Sequence, residues 1–239
     1  GIVKAPVDRW RNIDYYYDPN PKVPDKTYSC IGGFITDFAF DPLKFRIPPS
    51  VAKKMDRTQK LAISCVADAL EDAGLKPEQL KGMKVGIVIG NSMGGETTDR
   101  YAERLSLPRT LDMLSESFQK VGLDAAATQA AIEIFKQRYL EDLPEITEDS
   151  LPGELPNVIS GRVANVFNLE GPNFTVDAAC ASSLAAVMNA VNGLRSGFMD
   201  IALAGGVDAA MHPSSFIKFC KVGALSSDGS RPFDARANG

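Results

Sequence analysis

Histidine is almost absent from this 239-residue sequence, which holds His212 and no other. A catalytic scheme that pairs a nucleophile with a nearby histidine, as in a papain-type hydrolase, therefore has one badly placed candidate. The four cysteines, Cys30, Cys65, Cys180 and Cys220, are far apart and form no CxxC pair, which argues against a zinc site or a disulfide scaffold. Reduced thiols in a cytosol are expected instead. No apolar run reaches the roughly 20 residues of a membrane helix, and the first residues lack a basic start and apolar middle, so a cytoplasmic protein is expected. A basic excess is missing too: the formal charge is -4 and the pI about 5.2, which favours neither nucleic acid nor an anionic membrane as partner.

What is present is enough for a real core, with 44% hydrophobic and 23% charged residues. Residues 1–49 are rich in Pro, Asp, Asn and aromatics and read as ordered loop with a short strand near Gly33 to Ile35. "TQKLAISCVADALEDAG" then places Leu61, Cys65, Val66, Ala69 and Leu70 on one helical face before Gly74. A buried strand, "KVGIVIGNSMGG", follows and closes in glycines. Glycines after a strand can cradle phosphate, but this spacing is neither GxGxxG nor a Walker loop. Residues 97–156 read as a helical and loop insertion, with Asp124 as a helix N-cap. "NVISGRVANVF" is helical, "NFTVDAA" a strand, "SSLAAVMNAVNGLRSG" a helix and "DIALAGGVDAA" a strand. Helices alternating with strands predict an α/β fold with a mainly parallel sheet.

Cys180 stands where strand passes into helix. Leu184, Val187, Met188, Val191 and Leu194 recur at helical spacing, predicting a helix that turns this face inward and ends near Gly197. At that helix start, unsatisfied N–H groups and the positive dipole end would lower the thiol pKa below its free value of about 8.5. A thiolate attacks thioesters, and Ala178, Ala179 and Ala181 leave room for a carbonyl. A cysteine among alanines is also what a small buried core residue looks like, so position alone leaves both readings open. Cys30, Cys65 and Cys220 have no comparable setting.

"GPNFTVDAACASSLAAV", "GFMDIALAGGVDAAMHP" and "ALSSDGSRPFDARANG" closely resemble the active-site region of β-ketoacyl synthases, the condensing enzymes of fatty acid and polyketide assembly. "DYYYDPNPKVPDKTYSCIGGFITDFAFDP", "MDRTQKLAISCVADALEDAGL" and "GIVIGNSMGGE" resemble such domains in the type I iterative or polyunsaturated-fatty-acid synthase style, so the likeness covers nearly the whole chain. It implies a thiolase-like fold, of which residues 1–239 would be the N-terminal βαβ half, the opening strand and C-terminal half being absent. It also implies a decarboxylative Claisen condensation. Cys180 would accept the acyl group, and malonyl-acyl carrier protein would then lose carbon dioxide and attack it. No metal or cofactor is implied for the chain itself, the substrates being carried on the phosphopantetheine of acyl carrier protein.

Further implications are finer. Phe219 falls where the family has an aromatic residue lining the acyl pocket, and "FTVDAA" falls where two subunits of a homodimer pair. The enolate-stabilising histidines of the family lie well downstream, so this polypeptide by itself is not expected to complete the condensation; His212 reads as a loop or packing residue. Six bases between Lys44 and Lys60 face the single acid Asp56, whereas Glu141 to Glu154 holds six acids and no base. Lys53, Lys54 and Arg57 are thus candidates for docking the acidic carrier protein, although most such runs are merely solvated faces. The alternative function is that of a non-catalytic partner of the chain-length-factor kind. Such partners usually lack the nucleophile, which is present here.

Overall fold

The computed structural model describes residues 1–239. In chain order the elements are β1 (Val3–Lys4), α1 (Ile13–Tyr16), β2 (Ile31–Gly32), α2 (Pro49–Lys54), α3 (Arg57–Asp72), a 3-10 turn (Pro77–Leu80), β3 (Val85–Gly90), α4 (Thr97–Leu105), α5 (Leu107–Lys120), α6 (Ala125–Glu141), α7 (Ser150–Glu154), α8 (Asn157–Phe167), β4 (Asn173–Val176), α9 (Ser182–Arg195), β5 (Ile201–Gly206) and α10 (Pro213–Val222). They fall into two compact units, one of residues 1–40 with 210–239 and one of residues 41–209.

The first unit is organised by Trp10, which is 1% exposed and packs with Ala5, Phe34 and Phe216. Its ring meets Phe216 edge-on at 4.7 Å between centroids, and its Nε1–H donates to the Met211 carbonyl at 2.8 Å, so the indole buries its apolar body without orphaning its donor. The strand expected at Gly33 to Ile35 lies at Ile31–Gly32, because antiparallel pairing with β1 (Val3 opposite Gly32) sets its place rather than the apolar residues after it. His212 caps α10, its Nδ1 accepting from the Ser214 N–H at 3.3 Å.

The second unit is built on a parallel sheet of order β4-β3-β5, with Val88 opposite Phe174 on one side and Ala204 on the other. Every residue of β3 is buried, as a central strand covered on both faces requires. Val88 points to the face covered by α9, where it packs with Ala186, Ala190 and Met199. By the two-residue period, Val85, Ile87 and Ile89 point to the other face, toward α8 and, behind it, α3. Gln59 of α3 is buried between helices: its Nε2 donates to the Pro152 carbonyl at 2.9 Å and its Oε1 accepts from Arg162 Nε at 2.6 Å. Asp124 caps α6 as expected, accepting from Ala127 N–H at 2.8 Å. No helix is long and apolar enough to cross a membrane.

Two expectations are corrected here. Cys65 and Ala69 do not lie on the buried face of α3; both are exposed, whereas Leu61, Val66 and Leu70 are buried as expected, together with Gln59, Ala62 and Ile63 one step round the helix. More consequentially, α9 does not turn its large apolar residues inward. Ser182, Ala186, Ala190 and Gly193 face the sheet, whereas Leu184 is 72% exposed and Met188 58%. Small side chains let the helix approach a strand that itself carries glycines, and the bulky stripe is left on the outer side.

Candidate active site

Cys180 lies at the carboxyl end of a parallel strand, the end where ligands bind in open α/β sheets. β4 stops at Val176, the chain turns through Asp177 to Ala181, and α9 begins at Ser182. Within that turn Ala179 has φ +50°, the left-handed region, where a Cβ costs about 1–2 kcal/mol. The conformation is fixed from both sides. Asp177 Oδ1 accepts from Ala179 N–H at 2.9 Å, and the buried Ser182 hydroxyl donates to the Ala179 carbonyl at 2.6 Å while accepting from Ala178 N–H at 2.9 Å. Cys180 is thereby exposed at the mouth of the helix, with no hydrogen-bond partner on its thiol. The reading of a small buried core residue fails, because the sharp turn lifts the side chain off the sheet.

The support below this turn is as constrained as the turn itself. A Cβ on Gly90, the last residue of β3, would sit 2.4 Å from the Ser182 carbonyl carbon, so only glycine lets the start of α9 rest there. Asn91 follows and is buried. Its N–H donates to Val176 O at 3.1 Å, its Nδ2 to Val207 O at 2.9 Å and Gly94 O at 3.0 Å, and its Oδ1 accepts from Gly94 N–H at 3.0 Å. The ends of all three strands are tied by one residue, through its backbone N–H and its side-chain amide. The glycine-closed loop "GNSMGG" is thus a turn closed on itself by Asn91, not a cradle open to phosphate.

A second polar centre organises the other side of that loop. Asp56 is 2% exposed; Oδ1 accepts from the N–H and Oγ1–H of Thr58, both at 2.8 Å, and Oδ2 from Glu96 N–H and Thr97 N–H at 2.9 Å and Thr97 Oγ1–H at 2.7 Å. Burial by itself would raise this carboxyl's pKa, but the donors of Thr58 and Thr97 outweigh it and hold the group below the usual carboxylate range. A Cβ on Gly95 would lie 2.0 Å from Oδ1, so the loop closes on Asp56 without a side chain between them. Sequence reasoning saw Asp56 as a stray acid and missed it, as it missed Asn91 and Ser182. For Asp56 the signal was available in the order Asp-Arg-Thr at a helix start.

Of the remaining predicted residues, three stand at the junction of α2 and α3 and one on α10. Lys53 is exposed at the end of α2; Lys54 reaches across to donate its Nζ to the Glu145 carbonyl at 2.5 Å; Arg57 opens α3 half-buried. Nearby Lys60 is held below its ordinary pKa by burial, with the charge of Asp56 acting in the opposite direction. The basic segment is therefore partly committed to internal contacts. Phe219 lies on α10 of the first unit and is 40% exposed. An open cleft of about 710 Å³ walled by Phe45, Leu70, Lys76, Lys81 and Phe167 contains none of these residues and not Cys180.

Comparison with known proteins places this geometry. Residues 1–239 match the family described as "Beta-ketoacyl synthase, N-terminal domain". Polyketide synthase GfsB of Streptomyces halstedii is 36% identical over all of this chain, which covers 4% of that protein. A polyunsaturated fatty acid synthase of a Thraustochytrium species is 32% identical over 98% of the chain, covering 8% of the relative. Among solved structures, a ketosynthase domain of Streptomyces albus for oxazolomycin superposes with a TM-score of 0.70 at 27% identity, over 96% of this chain and 33% of the other. The ketosynthase from module 6 of the Bacillus subtilis bacillaene synthase (a mutant form) gives 0.69 at 28% identity, over 100% and 32%. The chain thus spans a small fraction of its curated relatives and about a third of the solved ketosynthase chains, and its α/β architecture is theirs, the thiolase-like one. With a cysteine raised on a strained strand-to-helix turn and a family match along its entire length, the chain belongs to the β-ketoacyl synthases as their N-terminal domain.

Proposed function

We propose that this chain supplies the acyl-accepting portion of a decarboxylative condensing enzyme, with Cys180 as nucleophile. The observation that carries this reading is the exposed thiol held at a helix start by a strained turn. The Cys180 thiolate attacks an acyl thioester delivered on the phosphopantetheine of acyl carrier protein, the pantetheine sulfur leaves as thiolate, and the acyl group remains on the Cys180 sulfur. Malonyl-carrier protein then loses carbon dioxide, its carbanion attacks the acyl carbonyl, and Cys180 departs as thiolate. His212, occupied in capping α10, takes no part; the donors that stabilise the enolate belong to other residues of the enzyme.

The same reading accounts for three surfaces. Lys53 and Arg57, with Lys54 as an organising residue, are proposed to meet the acidic carrier protein. β4, an edge strand of its sheet, is proposed as the line along which two subunits pair. The outward stripe of Leu184, Val187, Met188 and Leu194 is proposed to be covered by the remainder of the condensing domain. Phe219 is retained as a candidate for the acyl pocket.

The test is treatment of the chain with cerulenin, and separately with a short acyl-N-acetylcysteamine thioester, followed by peptide mapping. Covalent modification concentrated on Cys180 is expected. Modification of Cys65 at an equal rate, both thiols being exposed, rejects the assignment and returns the chain to a structural role.

A further inference from the structure

Resting on the reading of Cys180 as nucleophile, we infer that Ser182 is a positioning residue: its hydroxyl is the clasp that holds the reactive turn in its strained form. Three observations converge on it. The hydroxyl is buried, and both its hydrogen bonds go to backbone groups flanking Ala179, donating to that residue's carbonyl at 2.6 Å and accepting from Ala178 N–H at 2.9 Å. Ala179 holds a φ of +50° that an alanine avoids unless neighbouring contacts impose it. The backbone of Ser182 in turn rests on Gly90, where a Cβ would come within 2.4 Å of it, so the clasp is anchored to the central strand. The adjacent serine has no such part: Ser183 is exposed.

A hydroxyl that merely filled space could be removed, leaving the methyl group of alanine, at little cost to Cys180. A clasp cannot, because Ala179 would be free to relax toward an ordinary φ and carry Cys180 away from the start of α9. Ser182 touches no reacting atom in this scheme; it acts through the turn. Its removal should lower the reactivity of Cys180 more than that of any other thiol in the chain.

The experiment uses the whole 239-residue chain, its Ser182→Ala variant and the double variant Ala179→Gly/Ser182→Ala. Each is alkylated with iodoacetamide and acylated with the acyl-N-acetylcysteamine thioester, and rates at Cys180 and Cys65 are read by peptide mapping alongside the melting temperature. In Ser182→Ala the Cys180 to Cys65 alkylation ratio is expected to fall about tenfold, the size of one buried hydrogen bond, and acyl transfer to fall at least as far. The double variant guards against misfolding: glycine accepts the left-handed conformation freely, so the chain folds, yet without the clasp the ratio stays low. A ratio unchanged in either variant, even with a lowered melting temperature, overturns the inference. So does an equal change at both cysteines. If Cys180 shows no preference in the unaltered chain, the nucleophile assignment itself falls; a preference that survives loss of the hydroxyl defeats the clasp alone.

Discussion

Asp56 and Cys180 stand at the entrances of two helices of the same unit, α3 and α9, and the chain treats them in opposite ways. Asp56 is buried with five hydrogen bonds converging on its carboxylate, three of them from residues about 40 positions away at the start of α4. Cys180 is exposed, and the hydrogen bonds around it go to its neighbours, leaving the sulfur without one. A saturated polar group spends its interactions on the fold, whereas a polar group raised on strained backbone and left unsatisfied keeps them for a ligand.

That contrast can be broken by mutation. Asp56→Ala should have the largest effect, a loss of about 3–5 kcal/mol in urea unfolding, because it orphans donors at the start of both α3 and α4. A loss under about 1 kcal/mol would mean the carboxylate is dispensable. Gly90→Ala should cost about 1–3 kcal/mol, since its methyl group meets the Ser182 backbone, and should disturb Cys180 labelling as well; unchanged stability would show that α9 shifts freely. Acid should act through Asp56 next. Its folded pKa is depressed, so its contribution is complete above the unfolded value of about 3.9 and is lost as pH falls through the lower folded value. Unfolding midpoints should therefore drop on acidification in the unaltered chain and drop less in Asp56→Asn; equal slopes would remove Asp56 as the source. Smallest of all, Cys180→Ala and Met188→Lys should each move the stability of this chain by less than about 0.5 kcal/mol, since both side chains are exposed. A large loss from Met188→Lys would mean that the outer face of α9 is already covered in solution.

Much of this was legible beforehand for local reasons. β-branched runs between helical periods give parallel strands, Gly74 with φ +65° stops α3, and Asp124 caps α6 through its own side chain. Cys180 was legible because a junction of strand and helix is itself a local pattern. The face of α9 was not. Its periodicity identifies a helix with a large apolar stripe and a small-residue stripe but cannot say which one the sheet receives, and the decision went to the small stripe because Gly90 of β3 lies against Ser182 and Val88 against Ala186 and Ala190. Cys65 was misplaced by the same ambiguity, an error of one position in a helical period.

By itself, then, the sequence determined the order of the elements, the junction at which the thiol stands and the family motif around it, since each depends on residues close together along the chain. Only the tertiary structure decided that Asn91 ties the three strand ends, that Asp56 joins α3 to α4, and that Ser182 is wedged between a left-handed alanine and a bare glycine. Those depend on hydrogen bonds and close contacts between segments up to 116 residues apart, which no periodicity records.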